Sequence, residues 1–253
     1  MRPKEPEKGT ATNRGGSAIG ANVYAHVKEQ ILGGAFGKGD WIPIDDIASS
    51  LGVSRQPVMD AMKRLSVEGF VEIMPQVGSR VRHYSERDIR DFFALFALGE
   101  AHVARLAAER AEPEDIVNLR MISAQIGALT RLNVGSAERG RLYRNLNRML
   151  HYEIRNVARS PAVGELVEAL RDRSDFFIVS EHGSVFTDRI ETAFAEHEAI
   201  IDVIEARDGD AAAEAMKRHI LAVEASVLAG APRGGARRAT PAPAPKRRKP
   251  KGR

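Results

Sequence analysis

IDDIASSLGVSRQPVMDAMKRLSVEGFVEIMPQVGSRVR, residues 44–82, is the stretch that decides how this chain is read. Ile44, Ile47, Ala48 and Leu51 fall at i, i+3, i+4, i+7, the spacing of one apolar helix face, and predict a short first helix over 44–51. Gly52-Val53 makes a turn, and Ser54 is placed as the N-cap of a second helix. Pro57 stands in the first turn of that helix, where a missing N–H costs nothing. Val58, Ala61, Met62 and Leu65 repeat the apolar spacing, which turns Arg55, Gln56, Met59, Lys63 and Arg64 outward. Gly69 stops the helix; Phe70–Ile73 and Arg80–Arg82 read as two strands around a Pro75–Ser79 turn. Two helices joined by a tight turn, the second opening on polar and basic residues, form a shape that fits the DNA major groove. The pattern predicts a winged helix-turn-helix, with Ser54, Arg55 and Gln56 nearest the bases. Lys63, Arg64, Arg80 and Arg82 are expected on phosphates or in the wing contact.

These residues resemble a known family. Leu51-Gly-Val-Ser-Arg-Gln-Pro-Val58, then Leu65 and Glu68-Gly-Phe70, is similar to the winged helix of GntR-type bacterial transcription regulators. Upstream, Val23-Tyr24, Ile31-Leu32-Gly33-Gly34 and Gly39-Asp40 look like that family's first helix and the loop after it. The chain departs from the pattern at Met59, where the family usually carries Arg, so one phosphate or base contact is lost.

The 253-residue chain is long enough for a second domain, and 43% hydrophobic residues support two cores. With no cysteine, neither disulfides nor thiolate chemistry is available. No apolar run reaches the roughly 20 residues of a membrane span, and Met1–Ser17 is polar, so a cytoplasmic protein at the nucleoid is expected. The net charge of +4 is unevenly spread. The Ala/Pro-rich stretch 229–253 carries nine basic residues and no acid, and 1–18 carries a net +2. Residues 19–83 balance seven of each sign, which leaves −7 on 84–228. The tail reads as disordered, either a solubilising extension or a salt-dependent DNA arm, and 1–18 as a disordered extension.

After residue 83 no strand signal remains. Start and stop residues divide 84–228 into six helices, about 86–111, 113–132, 137–159, 161–180, 187–207 and 209–229. The fold expected is mainly α: an N-terminal winged helix-turn-helix on 19–83 and an antiparallel six-helix bundle on 84–228.

Three of the seven histidines share a spacing. His197 and His219 lie eleven residues either side of Asp208, in the turn between the last two helices. In an antiparallel hairpin both sit about 16 Å from the turn at ~1.5 Å per residue, hence side by side. Helices packed ~8–10 Å apart let two imidazoles meet at one ion. Asn147 and His151 are i, i+4 on a third helix and share a face. Asn147, His151, His197 and His219 therefore form a candidate four-ligand set for a divalent metal, zinc or nickel, between which the residues do not choose.

Here too a resemblance holds. Leu150-His151, Ala158-Arg-Ser-Pro161, Glu196-His197-Glu-Ala-Ile200, and Gly209-Asp210 with Met216-Lys-Arg-His219-Ile220 look like the FCD effector domain of FadR-type GntR regulators. The resemblance implies an antiparallel helical bundle, a homodimer, and a small-molecule effector that controls binding to a palindromic operator on double-stranded DNA. It also implies, for many members, a divalent metal held by one Asp and three His. The histidines match His151, His197 and His219, whereas the Asp falls on Asn147. Three imidazoles and an amide leave the ion its full +2, which lowers affinity and favours an anionic effector. The family's first bundle helix often places an Arg one turn before a Glu, resembling a carboxylate clamp; here Phe96 precedes Glu100. Phe96 and Glu100 become candidate effector-pocket residues, and the effector an organic acid with an apolar body, although Phe92-Phe93-Ala-Leu-Phe96 also suits a core or a dimer interface. Two rival readings stand beside this one: a metalloenzyme that uses the His set under a DNA-binding head, and a sequence-independent DNA compactor driven by the basic tail.

Overall fold

The computed structural model describes residues 13–182 and 185–230. The chain forms two compact units that part between His83 and Tyr84. In the first, helix α1 spans Asn13–Leu32, α2 Ile44–Ser50 and α3 Arg55–Val67, followed by strands β1 Val71–Met74 and β2 Gly78–Val81. The helical chain thus begins inside the segment 1–18 that was expected to be a disordered extension. The rest of that segment, and the tail beyond Gly230, lie outside the described residues.

Helix α3 buries Val58, Ala61, Met62 and Leu65, the four residues spaced for it, against Val23, Val27 and Ile31 of α1 and Ile44, Ile47 and Ala48 of α2. Gly52 supplies the positive φ of 63° that the tight turn requires, a conformation costly for a residue with a Cβ. Ser54 occupies the N-cap of α3, but its hydroxyl makes no capping hydrogen bond. Strands β1 and β2 pair antiparallel with Val71 opposite Val81 and Met74 opposite Gly78. A third segment, not anticipated, joins this wing. Trp41 bridges Arg80, the Ile42 N–H donates to the Ser79 carbonyl at 2.9 Å, and the Val81 N–H donates to the Asp40 carbonyl at 2.9 Å.

The second unit is helical throughout its described residues. Its helices are α4 Glu86–Arg110, α5 Pro113–Ala128, α6 Ser136–Val157, α7 Pro161–His182, α8 Val185–Asp188, α9 Ile190–Glu205 and α10 Gly209–Gly230, with a 3-10 turn at Leu129–Arg131. Ser85 and Asp88 cap α4 reciprocally, as the sequence marked. The expected helix over 187–207 is two elements, α8 and α9, broken at Arg189, whose φ of −108° and ψ of 4° leave helical geometry. Arg189 makes use of the break: its guanidinium donates to the Ala222 carbonyl and the Ser226 hydroxyl, both at 2.9 Å. Helix α10 packs along α4 and α9, and α9 packs on α5. The α9–α10 turn contains Asp208, whose carboxylate accepts from the Ala211 N–H at 2.9 Å and so closes the hairpin that the spacing predicted.

Phe93, Phe96, Phe176 and Phe177 form the aromatic part of this core, joined by the half-buried Phe92, whose ring stacks on Phe96 at 5.8 Å. Among the described residues, no helix is long and apolar enough to cross a membrane.

Candidate metal centre and nucleic-acid interface

Helix α6 presents Asn147 and His151 on one face; α9 contributes His197 and α10 His219. All four side chains are buried, with His151 and His197 at 0% exposure. One ring nitrogen from each histidine lies within 4.8 Å of the others. The ring centroids of His197 and His219 are 4.7 Å apart, and His151 stands 5.6 and 5.4 Å from them. Both nitrogens of His151, both of His197 and the Asn147 Oδ1 are buried without a hydrogen-bond partner. Buried polar atoms left unpaired cost about 1–3 kcal/mol each, so the converging histidine nitrogens form a candidate ligand site. An imidazole-rich set with one amide oxygen fits a borderline divalent ion such as zinc or nickel.

The electrostatics favour the same occupant. Burial, followed by the charge of Arg171, pulls His151 down to about 3 from an ordinary 6.5, against the opposing pull of Glu100. Burial, then His219 and His151, hold His197 well below its ordinary value. Both rings are therefore neutral and keep a lone pair for a metal. Behind two of the three rings stands a carboxylate. The His219 Nδ1 lies 2.7 Å from the Glu196 Oε2, and the His151 Nδ1 lies 3.5 Å from the Glu100 Oε2. Burial alone would raise Glu100, but Arg171, His151 and Arg155 outweigh it and keep the acid ionised. Glu196 is lowered as well: burial opposes, while His219 and Arg189 prevail. Because an ionised carboxylate only accepts, the His219 Nδ1 donates to Glu196 and its Nε2 is left free for an ion.

A small cavity of about 20 Å³ opens beside this cluster. Its polar wall holds Tyr143, Asn147, Arg171, Ser174, Arg189 and His219; Ile178, Phe186, Ile220 and Val223 form the apolar wall. Phe96 and Glu100, expected to line an effector pocket, do not border this cavity. Phe96 is fully buried in the aromatic core, on the inner stripe of α4, with its ring against those of Phe92 and Phe93. Glu100, also fully buried, stands behind His151 and pairs with Arg171 and Arg155. Two guanidinium groups do face the cavity, that of Arg189 and that of Arg171 of α7, which is poised over the Phe96 ring at 5.1 Å. A signal for it exists in the sequence: Val167, Arg171, Ser174 and Ile178 follow helical spacing, which sets a charge on an apolar stripe. Arg189 and Glu196, seven residues apart on one face, were likewise overlooked.

The other expected contacts all lie in the first unit. Ser54, Arg55 and Gln56 are exposed at the start of α3. The Arg55 Nη1 is 2.6 Å from the Asp45 Oδ1 of α2. Gln56 and Lys63 both bond Asp60, at 3.0 and 2.8 Å. Arg64 bonds Glu68 at 3.2 Å and lies 3.7 Å over the Tyr24 ring of α1, yet its side chain remains 61% exposed. Arg80 pairs with Glu72 across the wing at 2.8 Å, and Arg82 is exposed just beyond it. Met59, the departure from the family pattern, is half-buried.

Residues 19–81 match the family of bacterial regulatory proteins named gntR, and residues 91–222 match the FCD domain. The chain belongs to the GntR family, in its FCD class. Its members are transcription regulators rather than enzymes, and FCD domains often bind a metal. A helix-turn-helix-type transcriptional repressor of Escherichia coli, RspR, is 24% identical over 83% of this chain and 89% of its own length. The helix-turn-helix-type regulator YdhC of Bacillus subtilis is 24% identical over 79% of this chain and 84% of its own. In fold, the Escherichia coli structure McbR/YncC matches with a TM-score of 0.69 at 18% identity, over 83% of this chain and 97% of that one. This GntR regulator thus couples a winged helix-turn-helix unit to an FCD unit with a buried histidine cluster.

Proposed function

We propose that this GntR regulator is a homodimeric repressor whose grip on a palindromic operator responds to a small organic acid bound beside a divalent metal. The observation that carries this reading is the cluster of buried, unpaired imidazole nitrogens, with a cavity bearing two guanidinium groups at its side. Asn147, His151, His197 and His219 would hold the ion, zinc or nickel. When bound, the ion supplies a positive centre that attracts an anion. Arg171 and Arg189 add charge on the same wall, opposite the apolar Ile178, Phe186, Ile220 and Val223.

On DNA, Ser54, Arg55 and Gln56 would read base edges in the major groove. Lys63, Arg80 and Arg82 would hold phosphates, and Arg64 would do so while bracing α3 on α1. Two copies are needed to read both half-sites. Leu95 and Leu98 of α4 and Leu166 of α7 support a dimer face, because each is at least 59% exposed. They flank a close approach in which a Cβ on Gly99 would meet Val167 at 3.2 Å. Effector binding acts by favouring the dimer arrangement with weaker operator affinity, a population shift that requires the effector to distinguish the two arrangements. The reading places the protein on the nucleoid.

The test is His151→Ala. It is expected to abolish metal retention, measured by elemental analysis after desalting, while leaving effector-free operator binding in a gel shift close to native. A variant that retains one metal per chain would remove His151 from the ligand set.

A further inference from the structure

Resting on the reading that α3 enters the major groove, we infer that Asp60 is a specificity-determining residue, which selects cytosine in each half-site and turns the carboxamide oxygen of Gln56 toward the bases. Asp60 is the one acid in α3, Arg55–Val67. It stands in the middle of that helix's outer face. Gln56, Asp60, Lys63 and Val67 follow there at i, i+4, i+7 and i+11, all exposed, opposite the buried Val58, Ala61, Met62 and Leu65. The Gln56 Nε2 donates to both Asp60 oxygens at 3.0 Å, and the Lys63 Nζ donates to Oδ1 at 2.8 Å. Hydrogen bonds from Lys63 and then Gln56 hold the carboxyl below its ordinary 3.8, so it is ionised at neutral pH.

An ionised carboxylate has no proton to give and accepts at both oxygens. Phosphates repel it. Of the base edges in the major groove, guanine offers only acceptors, and thymine an acceptor and a methyl group. The amino groups of cytosine and adenine are left, and adenine sets its N7 lone pair beside the amino group, where it opposes a carboxylate. Cytosine N4 is the partner that suits Asp60. The orientation of Gln56 follows from the same contact. A carboxylate binds only the NH2 end of a carboxamide, so Nε2 is held by Asp60 and Oε1 is free as an acceptor. A glutamine free to rotate can offer either end to a base edge; one held in this way asks for a donor. Lys63 completes the arrangement. Its exposed pair with Asp60 contributes little, so the ammonium moves to a phosphate as the carboxylate meets the base. An acid on this face lowers affinity for DNA in general and sharpens discrimination between sequences.

The experiment is selection from a random duplex pool by the full chain, followed by affinity titration on the enriched duplex. Native protein, Asp60→Ala, Asp60→Asn and Gln56→Ala are compared, and thermal melts verify folding. Native protein is expected to enrich cytosine at one position of each half-site, and to bind about 10-fold more weakly when thymine replaces it in one half-site. Asp60→Ala should accept every base at that position and relax the neighbouring preference set by Gln56, while keeping the rest of the enriched sequence. Asp60→Asn should move the preference from cytosine to adenine, whose amino group and N7 match a carboxamide. Gln56→Ala should keep the cytosine and lose only the neighbouring preference. A native site in which Asp60→Ala relaxes no cytosine would overturn the inference. So would tighter binding of that variant to every duplex alike, which would make Asp60 a repulsive charge only. Native protein that enriches no sequence would instead overturn the reading of α3 as the base-contacting helix.

Discussion

In the DNA-binding unit, the polar side chains proposed to meet the duplex face solvent and rest on neighbouring acids: Arg55 on Asp45, Gln56 and Lys63 on Asp60, Arg80 on Glu72. In the FCD unit the corresponding functional groups are buried, and the nitrogens of His151 and His197 have no partner. An exposed ion pair contributes only ~0–1 kcal/mol, so phosphates can displace Asp60 or Glu72 at little cost. A buried polar atom without a partner costs about 1–3 kcal/mol, so the histidine cluster is far more demanding of a ligand. One unit keeps its polar groups in exposed, exchangeable pairs; the other holds three histidines buried and converged.

Three measurements press on that contrast. The largest effect is expected from Arg55→Ala: a base contact worth ~1–3 kcal/mol in each protomer, lost twice, should abolish specific operator binding in a gel-shift titration while metal content stays native. Unchanged operator affinity would remove Arg55 from the recognition surface.

A smaller effect should distinguish the FCD unit by pH. His151, at about 3, and His197, also lowered, take up protons in the unfolded chain near 6.5 but not in the folded bundle. The unfolded state therefore binds more protons below 6.5. The stability of the metal-free bundle is complete above that pH and falls with acidification, by up to ~1.4 kcal/mol per pH unit for each histidine. Melting curves of chelator-treated protein from neutral pH down to about 5 test this, and a flat profile would contradict the neutral, buried state of the rings.

The smallest effect belongs to Lys63→Ala. It should weaken operator and unrelated DNA alike and lower the salt slope of binding by about 1 per protomer. A loss confined to the operator would make Lys63 a base-reading residue instead.

The legibility of the sequence differs between the same two regions. Val58, Ala61, Met62 and Leu65 could be assigned to the core of α3 because helical spacing fixes which residues share a face. Trp41 could not be placed on the wing, since a single bridge to Arg80 leaves no periodicity to read. In the FCD unit the equal distance of His197 and His219 from Asp208 was enough to bring their rings to 4.7 Å. The family resemblance points Phe96 toward a pocket, yet its aromatic neighbours place it in the core. The break at Arg189 left no mark in residues 187–207, which carry neither Gly nor Pro.

The sequence by itself determined the winged helix-turn-helix and the hairpin meeting of two histidines, because both depend on spacing within one continuous segment, where helix geometry converts residue counts into positions. Only the tertiary structure decided that Glu100 stands behind His151, that Arg171 rather than a residue of α4 faces the cavity, and that Arg189 reaches Glu196. The first two relations join elements far apart in the chain, and how each helix is rotated against its neighbours is fixed by side-chain packing across the whole bundle, which no local spacing encodes; the third spans seven residues and depends on the break in helical geometry at Arg189.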